Sequence, residues 1–373
     1  MTKNHQRMNP QRAHRFVLRL VLAVLTALLA GACVAPPARA QTWGQRLGFP
    51  ADKRVLILHA SEMGLCYESN LAGQEGLAKG QFQSASVMTP SNWFVEFAQW
   101  AKEHPDADVG LSITLDSPYP LSRWRPITPR SMVHSLVDAD GYLWSSVQQI
   151  ATNAHALDAQ RELHAQIEWA RDQGFKPGHL DTHFGTMFAR VDLASVYLHA
   201  ARKYWIPAVV VELTPELINR FRNLGFPLDQ DMIALVASYP LPKIDGLEIM
   251  PRGDSYEQQR DRFLELVASL PPGITQIHLL PSQPGKALAR LTDDAQQRVW
   301  AAQMLADPKV QEFFKKEGIQ QTNWKEIMRR FEGKGLSVVS EQADKDPADK
   351  IERPNLSPPT SPAKPAANPE PTP

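Results

Sequence analysis

Between about residue 50 and residue 335, short apolar runs alternate with longer stretches that mix apolar and polar residues. The short runs are almost continuously apolar, which is typical of strands buried on both faces of a parallel sheet. They predict seven strands: Val55–Ala60, Ser84–Thr89, Val109–Leu115, His179–Gly185, Ala208–Leu213, Leu247–Met250 and Ile274–Leu280.

The stretches between most of these strands place apolar residues three and four positions apart, as the buried face of a helix requires. They predict helices over Asn70–Lys79, Asn92–Lys102, Leu157–Gln173, Leu193–Tyr204 and Tyr256–Leu270. Alternating strands and helices indicate an α/β protein, and about seven such units favour a distorted (β/α) TIM-like barrel. An open doubly wound sheet is the alternative, although no GxGxxG motif follows the first strand.

The two ends of the chain differ from this middle part. Residues 1–40 carry six basic and no acidic residues, with an apolar run from Phe16 to Ala32 and small residues before Gln41. This pattern predicts a secretory signal cleaved after Ala40, and therefore export to the periplasm or beyond. An uncleaved anchor, or a lipid on Cys33, is the alternative. Residues 341–373 are rich in proline and poor in large apolar residues, which predicts a disordered tail.

Removing the ends changes the meaning of the charge balance. The whole chain has 40 basic and 40 acidic residues, so residues 41–373 are mildly acidic. We therefore expect no nucleic-acid partner and no attraction to an anionic membrane. The apolar run from Phe16 to Ala32 is too short for a comfortable bilayer span, so we expect no stable membrane span. The barrel domain is predicted over residues 41–340. Two cysteines, Cys33 and Cys66, cannot form a disulfide framework or a zinc finger. The oligomeric state is not predictable from these patterns.

Candidate chemistry lies where predicted strands end, because the active sites of such barrels gather at the carboxyl edge of the sheet. His179, Asp181 and His183 are spaced two apart, so on a strand they would share one face. Two imidazoles and a carboxylate together suggest a metal site or an acid–base site. The alternative is a hydrogen-bonded polar layer of the core.

A long irregular segment over 116–156 contains several aromatic residues, Trp124 and Trp144 among them. Long loops in barrels are often functional, and aromatic rings in a concave site often contact the apolar faces of a ligand. These two tryptophans, with His59 and His179, are our candidate substrate-binding residues. Packing of a subdomain or of an oligomer contact is the alternative for the tryptophans.

The chain resembles the YdjC-like (ChbG/HpnK) carbohydrate deacetylase family, in a secreted branch. The resemblance rests on the Ser61–Gly64 turn with Asn70 after it, the Val109–Leu115 strand, the His179–His183 strand with Gly185–Phe188, and the final Gly318–Ile327 element. It implies a TIM-like barrel that removes acetyl groups from N-acetylated sugars with a divalent metal, magnesium or zinc. It also implies a carbohydrate partner.

The resemblance implies site residues, and this sequence departs from most of them. The family's base position is Ser61, which cannot accept a proton near neutral pH. The family's metal-ligand positions are Glu62, Ser112 and His183. Ser112 is a poor metal ligand. A late imidazole position is Leu280.

Neighbouring groups could compensate in part for these losses. His278 lies two residues before Leu280 on the same predicted strand face, and Asp181 lies near the fourth strand end, so Ser61, Asp181 and His278 are the candidate catalytic residues. Each missing general acid or base typically costs a factor of about 10²–10⁴ in rate. The sequence therefore predicts a carbohydrate deacetylase of impaired activity. The alternative is a glycan-binding pseudoenzyme of the cell envelope that holds no metal.

Overall fold

Parallel strands form the centre of the molecule, in a computed structural model that describes residues 41–333. The strands are β1 (Arg54–Met63), β2 (Ser84–Met88), β3 (Val109–Ile113), β4 (Leu180–Thr182), β5 (Gly246–Ile249), β6 (Gly273–Leu279) and β7 (Gln320–Gln321). Their order is β4-β3-β2-β1-β6-β5, and β7 pairs with the start of β1. All these pairings are parallel, so the carboxyl ends of the strands meet at one edge.

Residues 207–211 link the two outer strands of this sheet. The backbone N–H of Leu180 donates to Pro207, and that of Ile244, just before β5, donates to Val210, at 2.8 and 2.9 Å. Isolated bridges join Leu180 to Ala208 and Val211 to Ile244. The sheet therefore curls round toward a barrel, as the sequence pattern predicted, and the open doubly wound alternative is not what forms.

Helices cover the outside of the sheet. They are α1 (Trp43–Arg46), α2 (Tyr67–Ala78), α3 (Phe94–Glu103), α4 (Val147–Asn153), α5 (Ala156–Asp172), α6 (Val191–Tyr204), α7 (Pro215–Asn223), α8 (Gln230–Ser238), α9 (Tyr256–Ser269), α10 (Lys286–Leu291), α11 (Ala295–Met304), α12 (Pro308–Lys316) and α13 (Trp324–Gly333). Short 3₁₀ turns lie at Arg130–Met132, His134–Leu136 and His183–Phe188. In β1, all residues from Val55 onward are buried, which is why this strand reads as a continuous apolar run.

The structure corrects two of the predicted strands. The fourth ends at Thr182 rather than Gly185, because Phe184 and Gly185 take positive φ angles of 47° and 70° and turn the chain sharply. The fifth, at Ala208–Leu213, makes single bridges rather than a full ladder. Helices α7 and α8, which follow it, were not predicted.

Among residues 41–333, no helix is both long and apolar enough to cross a bilayer. The predicted signal at 1–40, including Cys33, and the predicted tail at 341–373 lie outside the described residues. Cys66 is a buried free thiol.

Candidate active site

The end of β1 presents two consecutive side chains to one cavity. Neighbouring residues on a strand normally point to opposite faces. Here Glu62 has a φ of 59°, and the pairing of β1 with β2 shifts register between Ala60 and Met63, so Ser61 and Glu62 both line the cavity. A positive φ at a residue other than glycine costs about 1–3 kcal/mol, and such strain clusters at functional sites.

The turn that follows is fixed by a glycine and an asparagine. Gly64 has a φ of 95°, and a Cβ there would lie 2.2 Å from the Ser91 hydroxyl oxygen, so no other residue fits without rearrangement. The Asn70 side chain accepts the Gly64 N–H at 2.6 Å and donates to the Trp93 carbonyl at 2.9 Å. This clamp holds the end of β1 and therefore the position of the Glu62 carboxylate.

One oxygen of Glu62 is fully engaged by groups from distant parts of the chain. Oε2 accepts from the Arg298 guanidinium at 2.6 Å and from the Tyr119 hydroxyl at 2.7 Å. Arg298 also donates to Tyr119 at 3.0 Å and to Asp294 at 2.6 Å. Burial by itself raises the pKa of Glu62, but the charge of Arg298 and the hydrogen bonds hold it well below its usual range. Glu62 is therefore ionised.

The other oxygen of Glu62 faces His183. Glu62 Oε1 and His183 Nε2 lie 3.4 Å apart, and both are buried without a hydrogen-bond partner by geometry. On the far side of the ring, His183 Nδ1 donates to Asp116 at 2.7 Å. Burial alone would lower the pKa of His183, but Asp116 and Glu62 raise it to about 10. The space between Glu62 and His183 thus favours a cation, either a proton or a metal ion.

A second chain of hydrogen bonds ends at Ser61. Trp324 Nε1 donates to Gln276 Oε1 at 2.8 Å, which orients the amide so that its NH₂ group lies 2.8 Å from His278 Nε2. An amide nitrogen only donates, so His278 Nε2 accepts and its proton sits on Nδ1. That Nδ1–H points at the Ser61 oxygen, 2.7 Å away. Burial lowers the pKa of His278, which is therefore neutral.

Asp181 and His59 form the buried layer behind Ser61. Asp181 Oδ2 accepts from the Ser86 hydroxyl at 3.1 Å and lies 3.4 Å from His59 Nε2 and 3.8 Å from His278 Nδ1. The two nitrogens of His59 lie 3.1 and 3.0 Å from the hydroxyls of Ser84 and Ser86. Burial lowers the pKa of His59 to about 4. This layer is internally hydrogen-bonded.

Of these side chains, Ser61, Glu62, Asp181, His183 and His278 form the polar floor of a cavity of about 320 Å³ at the carboxyl edge of the sheet. The structure brings together there six of the residues selected from the sequence: Ser61, Glu62, Ser112, Asp181, His183 and His278. Leu280 lines the same cavity. Ser112 pairs with Asp181 across β3 and β4.

The four candidate substrate-binding residues do not line this cavity. His59 and His179 are fully buried beneath it, and His179 Nδ1 lies 3.3 Å from Asp108. Trp124 is buried and donates its indole N–H to the Asp116 carbonyl at 2.6 Å. Trp144 donates to the Ser135 carbonyl at 2.9 Å. In the structure, both tryptophans hold the long 116–156 segment in place.

Sequence reasoning missed four residues that shape the site: Asp116, Tyr119, Gln276 and Arg298. Asp116 directly follows the third predicted strand, so its place at the carboxyl edge was a usable signal. Gln276 lies two residues before His278, on the same strand face. Arg298 lies 236 residues from Glu62 and carries no local signal at all.

Two groups of side chains at this end of the sheet could hold a metal ion, and their hydrogen bonds distinguish them; a further group, His134, His155 and Asp158, does not line the cavity. His59, Asp181 and His278 place ligand atoms within 4.8 Å of one another, but their facing atoms already bond to serines, to each other or to Gln276. Glu62 Oε1 and His183 Nε2 have no such partners. A carboxylate on the far nitrogen, as Asp116 provides, is also the usual support of a metal-binding histidine. Glu62 and His183 therefore fit a divalent ion better, with Ser112 as a weak third donor.

Comparisons with known proteins identify the family of the chain. A model of the YdjC-like protein family matches residues 55–316. A protein of Thermus thermophilus named carbohydrate deacetylase is 36% identical over 250 residues, which cover 65% of this chain and 84% of that protein. One of the same name from Thermoanaerobacter pseudethanolicus is 25% identical over 73% of this chain and 98% of its own. A crystal structure of an Enterococcus faecalis protein, 23% identical, superposes with a TM-score of 0.61 over 74% of this chain and 99% of that one. This last likeness supports the fold.

Proposed function

The chain belongs to the YdjC-like family, and from this we propose that it hydrolyses the N-acetyl group of an acetylated sugar, more slowly than a relative with the complete motif. The observation that carries the proposal is the pair of unpartnered buried atoms, Glu62 Oε1 and His183 Nε2, at the carboxyl edge of the barrel. Buried polar atoms without a hydrogen-bond partner are rare, and this pair needs a cation between them, a proton or a metal ion. The relatives' name, carbohydrate deacetylase, supplies the substrate class.

In the proposed reaction, Glu62 and His183 would hold a divalent cation. Such an ion polarises the amide carbonyl and lowers the pKa of a bound water. Asp116 keeps His183 Nε2 turned toward Glu62, and Arg298 with Tyr119 keeps the Glu62 carboxylate fixed. These contacts pre-organise the site, so little reorganisation is needed when substrate binds.

The leaving amine needs a hydrogen-bond donor, and His278 is placed to be one; the proton that the amine finally takes is the one that the attacking water releases. Its Nδ1–H faces the cavity beside Ser61, in the tautomer that Gln276 imposes. The position is shifted from that of Leu280, where the family resemblance implied an imidazole. His278 therefore supports the second half of the reaction without the motif residue.

Removal of a proton from water is the weak step. Ser61 cannot accept it near neutral pH. Asp181 is the other carboxylate on the cavity floor; burial alone raises its pKa, but His278 and the hydrogen bond with His59 hold it well below its usual value. A carboxylate with a lowered pKa is a weak base, so we expect a rate lower by about 10²–10⁴ than with a well-placed base.

A second candidate function, glycan binding without catalysis, has one observation in its favour. Arg298 already neutralises Glu62 in a buried ion pair of 2.6 Å, so the carboxylate is stable without a metal. In this case the cavity would retain a sugar fragment and release no acetate.

Metal content and acetate release from N-acetylglucosamine oligomers, both measured on the purified full-length chain, separate the two functions. We expect about one zinc or magnesium ion per chain after equilibration, and slow acetate release, both lost in Glu62→Gln. Glu168→Gln, at a half-buried carboxylate on α5 outside the cavity, is the matched control and should change neither. Oligomer binding without metal or acetate would support the second function. No binding, metal or acetate would refute both.

A further inference from the structure

Away from the polar floor, the wall of the cavity is apolar. Beyond Glu62, His183 and the other floor residues, it is lined by apolar side chains of the segment after β4, of α7 and α8, and of β5. They include Val209, Val210, Val211, Phe221, Phe226 and Leu247. On this side, no lining side chain among the described residues carries a charge or an amide.

The hydroxyls of a sugar ring do not suit such a wall. Each hydroxyl buried there would exchange water for an apolar surface, and an unpaired buried polar group is costly. An apolar chain suits it, because burying a methylene group favours binding by about four-fold. The surface therefore indicates that a hydrocarbon part of the substrate lies next to the reacting amide.

The inference rests on the proposed hydrolysis of an amide. That amide has two sides, and only one of them fits the apolar wall. On the amine side, the carbon next to nitrogen belongs to the sugar, whose hydroxyls need polar partners. On the acyl side, the carbonyl carbon is followed directly by methylene groups, which are apolar. Because the apolar wall is continuous with the floor at His183 and His278, the acyl side of the amide is the side that faces it.

We infer that the cavity binds a medium-length acyl chain, and that the substrate is an N-acylated amino sugar with an acyl group longer than acetyl. The inference deepens the proposed function: water adds to the carbonyl carbon, the C–N bond breaks, the amine takes a proton, and a fatty acid leaves. At roughly 30 Å³ per water-sized group, a cavity of about 320 Å³ holds about ten heavy atoms. An octanoyl group is of this size.

The backbone at the cavity mouth supports this assignment. Phe184 has a φ of 47°, a strained value for a bulky residue, and its ring centroid lies 4.3 Å from that of His183. Phe226 and Ile249, at the same mouth, expose 39% and 74% of their surface. Large apolar side chains at the mouth of a cavity with a polar floor fit a ligand that carries its own apolar surface.

Three probes test the inference on the full-length chain by calorimetry: N-acetylglucosamine, N-octanoylglucosamine and the octyl glycoside of N-acetylglucosamine. We expect the N-octanoyl sugar to bind at least about a hundred-fold more tightly than N-acetylglucosamine, and the octyl glycoside to gain much less. Equal affinities for the N-octanoyl and N-acetyl sugars would overturn the inference. An octyl glycoside that binds as tightly as the N-octanoyl sugar would also overturn it, since the chain would then enter from the other side.

Variants at the mouth locate the effect. Phe226→Ala and Ile249→Gln should each reduce the preference for the N-octanoyl sugar by about ten-fold, and their partial exposure makes misfolding a small concern. Leu224→Ala is the matched control, because Leu224 is 63% exposed in the same loop and does not line the cavity. A preference that none of these variants changes would contradict the assigned wall.

Release of free amine from the N-octanoyl and N-acetyl sugars distinguishes this inference from the proposed function. Hydrolysis of the N-acetyl sugar without any preference for the longer chain would leave the proposed function intact and remove the inference. Tight N-octanoyl binding without amine release would leave the acyl-chain site intact and remove the proposed hydrolysis.

Discussion

The structure predicts which ring nitrogen of His278 carries the proton. Trp324, Gln276 and His278 form a chain in which each hydrogen bond has one direction, so the neutral imidazole carries its proton on Nδ1. Replacing Gln276 by glutamate keeps the shape and leaves only acceptor atoms. The carboxylate would still accept from Trp324, but it would also accept from His278, and the proton would then sit on Nε2.

Nuclear magnetic resonance of ¹⁵N-histidine-labelled protein reads this change directly, because protonated and unprotonated ring nitrogens resonate in separate regions. His278 is assigned by the signal that disappears in His278→Gln. We expect a protonated Nδ1 in the natural protein and a protonated Nε2 in Gln276→Glu. Without a donor at Nδ1, acetate release should fall by about 10²–10⁴ in kcat with little change in KM.

The effect of Gln276 on the free energy of unfolding follows from its burial. Gln276 and the Trp324 side chain are fully buried, so Gln276→Leu leaves the indole N–H without an acceptor and should lower the free energy of unfolding by about 1–3 kcal/mol. Gln276→Glu retains that acceptor, and Gln321→Glu, on exposed β7, controls for the added charge. An unprotonated Nδ1 in the natural protein would refute the reasoning, as would identical spectra for the natural protein and Gln276→Glu.

Three further outcomes follow from the site and its surroundings. Arg298→Met removes the guanidinium partner of the buried Glu62 carboxylate and should lower the free energy of unfolding by about 3–5 kcal/mol, with part of the loss restored by added zinc; no restoration would mean that this carboxylate binds no metal. The triple variant Ser61→Asp, Ser112→His, Leu280→His places, at three positions that line the cavity, the residues that the family resemblance implies there. It should raise both metal affinity and acetate release. Unchanged metal content would show that these positions do not form the site. Burial raises the pKa of Asp108, but the charge of His179 and the hydrogen bonds that Asp108 accepts hold the pKa below its usual value. The ionised Asp108 therefore stabilises the fold above that usual value, and this stabilisation is lost as the pH falls. Asp108→Asn should lower Tm at pH 7 more than at pH 3.

Much of the site could be predicted because each residue sits at the end of a strand that the sequence reveals. Ser61, Glu62, His183 and His278 meet for this reason, since parallel strands bring their carboxyl ends to one edge. The prediction that Trp124 lines the site rested on composition of a loop, and a loop's aromatic residues can equally hold the loop itself, as the bond from Trp124 to Asp116 does.

The sequence by itself determined the barrel class, the strands and the residues that stand in the motif positions, because buried strands and amphipathic helices are local patterns with a fixed period. Only the tertiary structure decided the chemistry of those residues. Arg298 reaches Glu62 from a helix 236 positions away, and Gln276 sets the proton of His278 through a bond whose direction depends on Trp324. The apolar wall likewise comes from separate segments. Such contacts depend on how distant elements pack, and packing has no local signature in the chain.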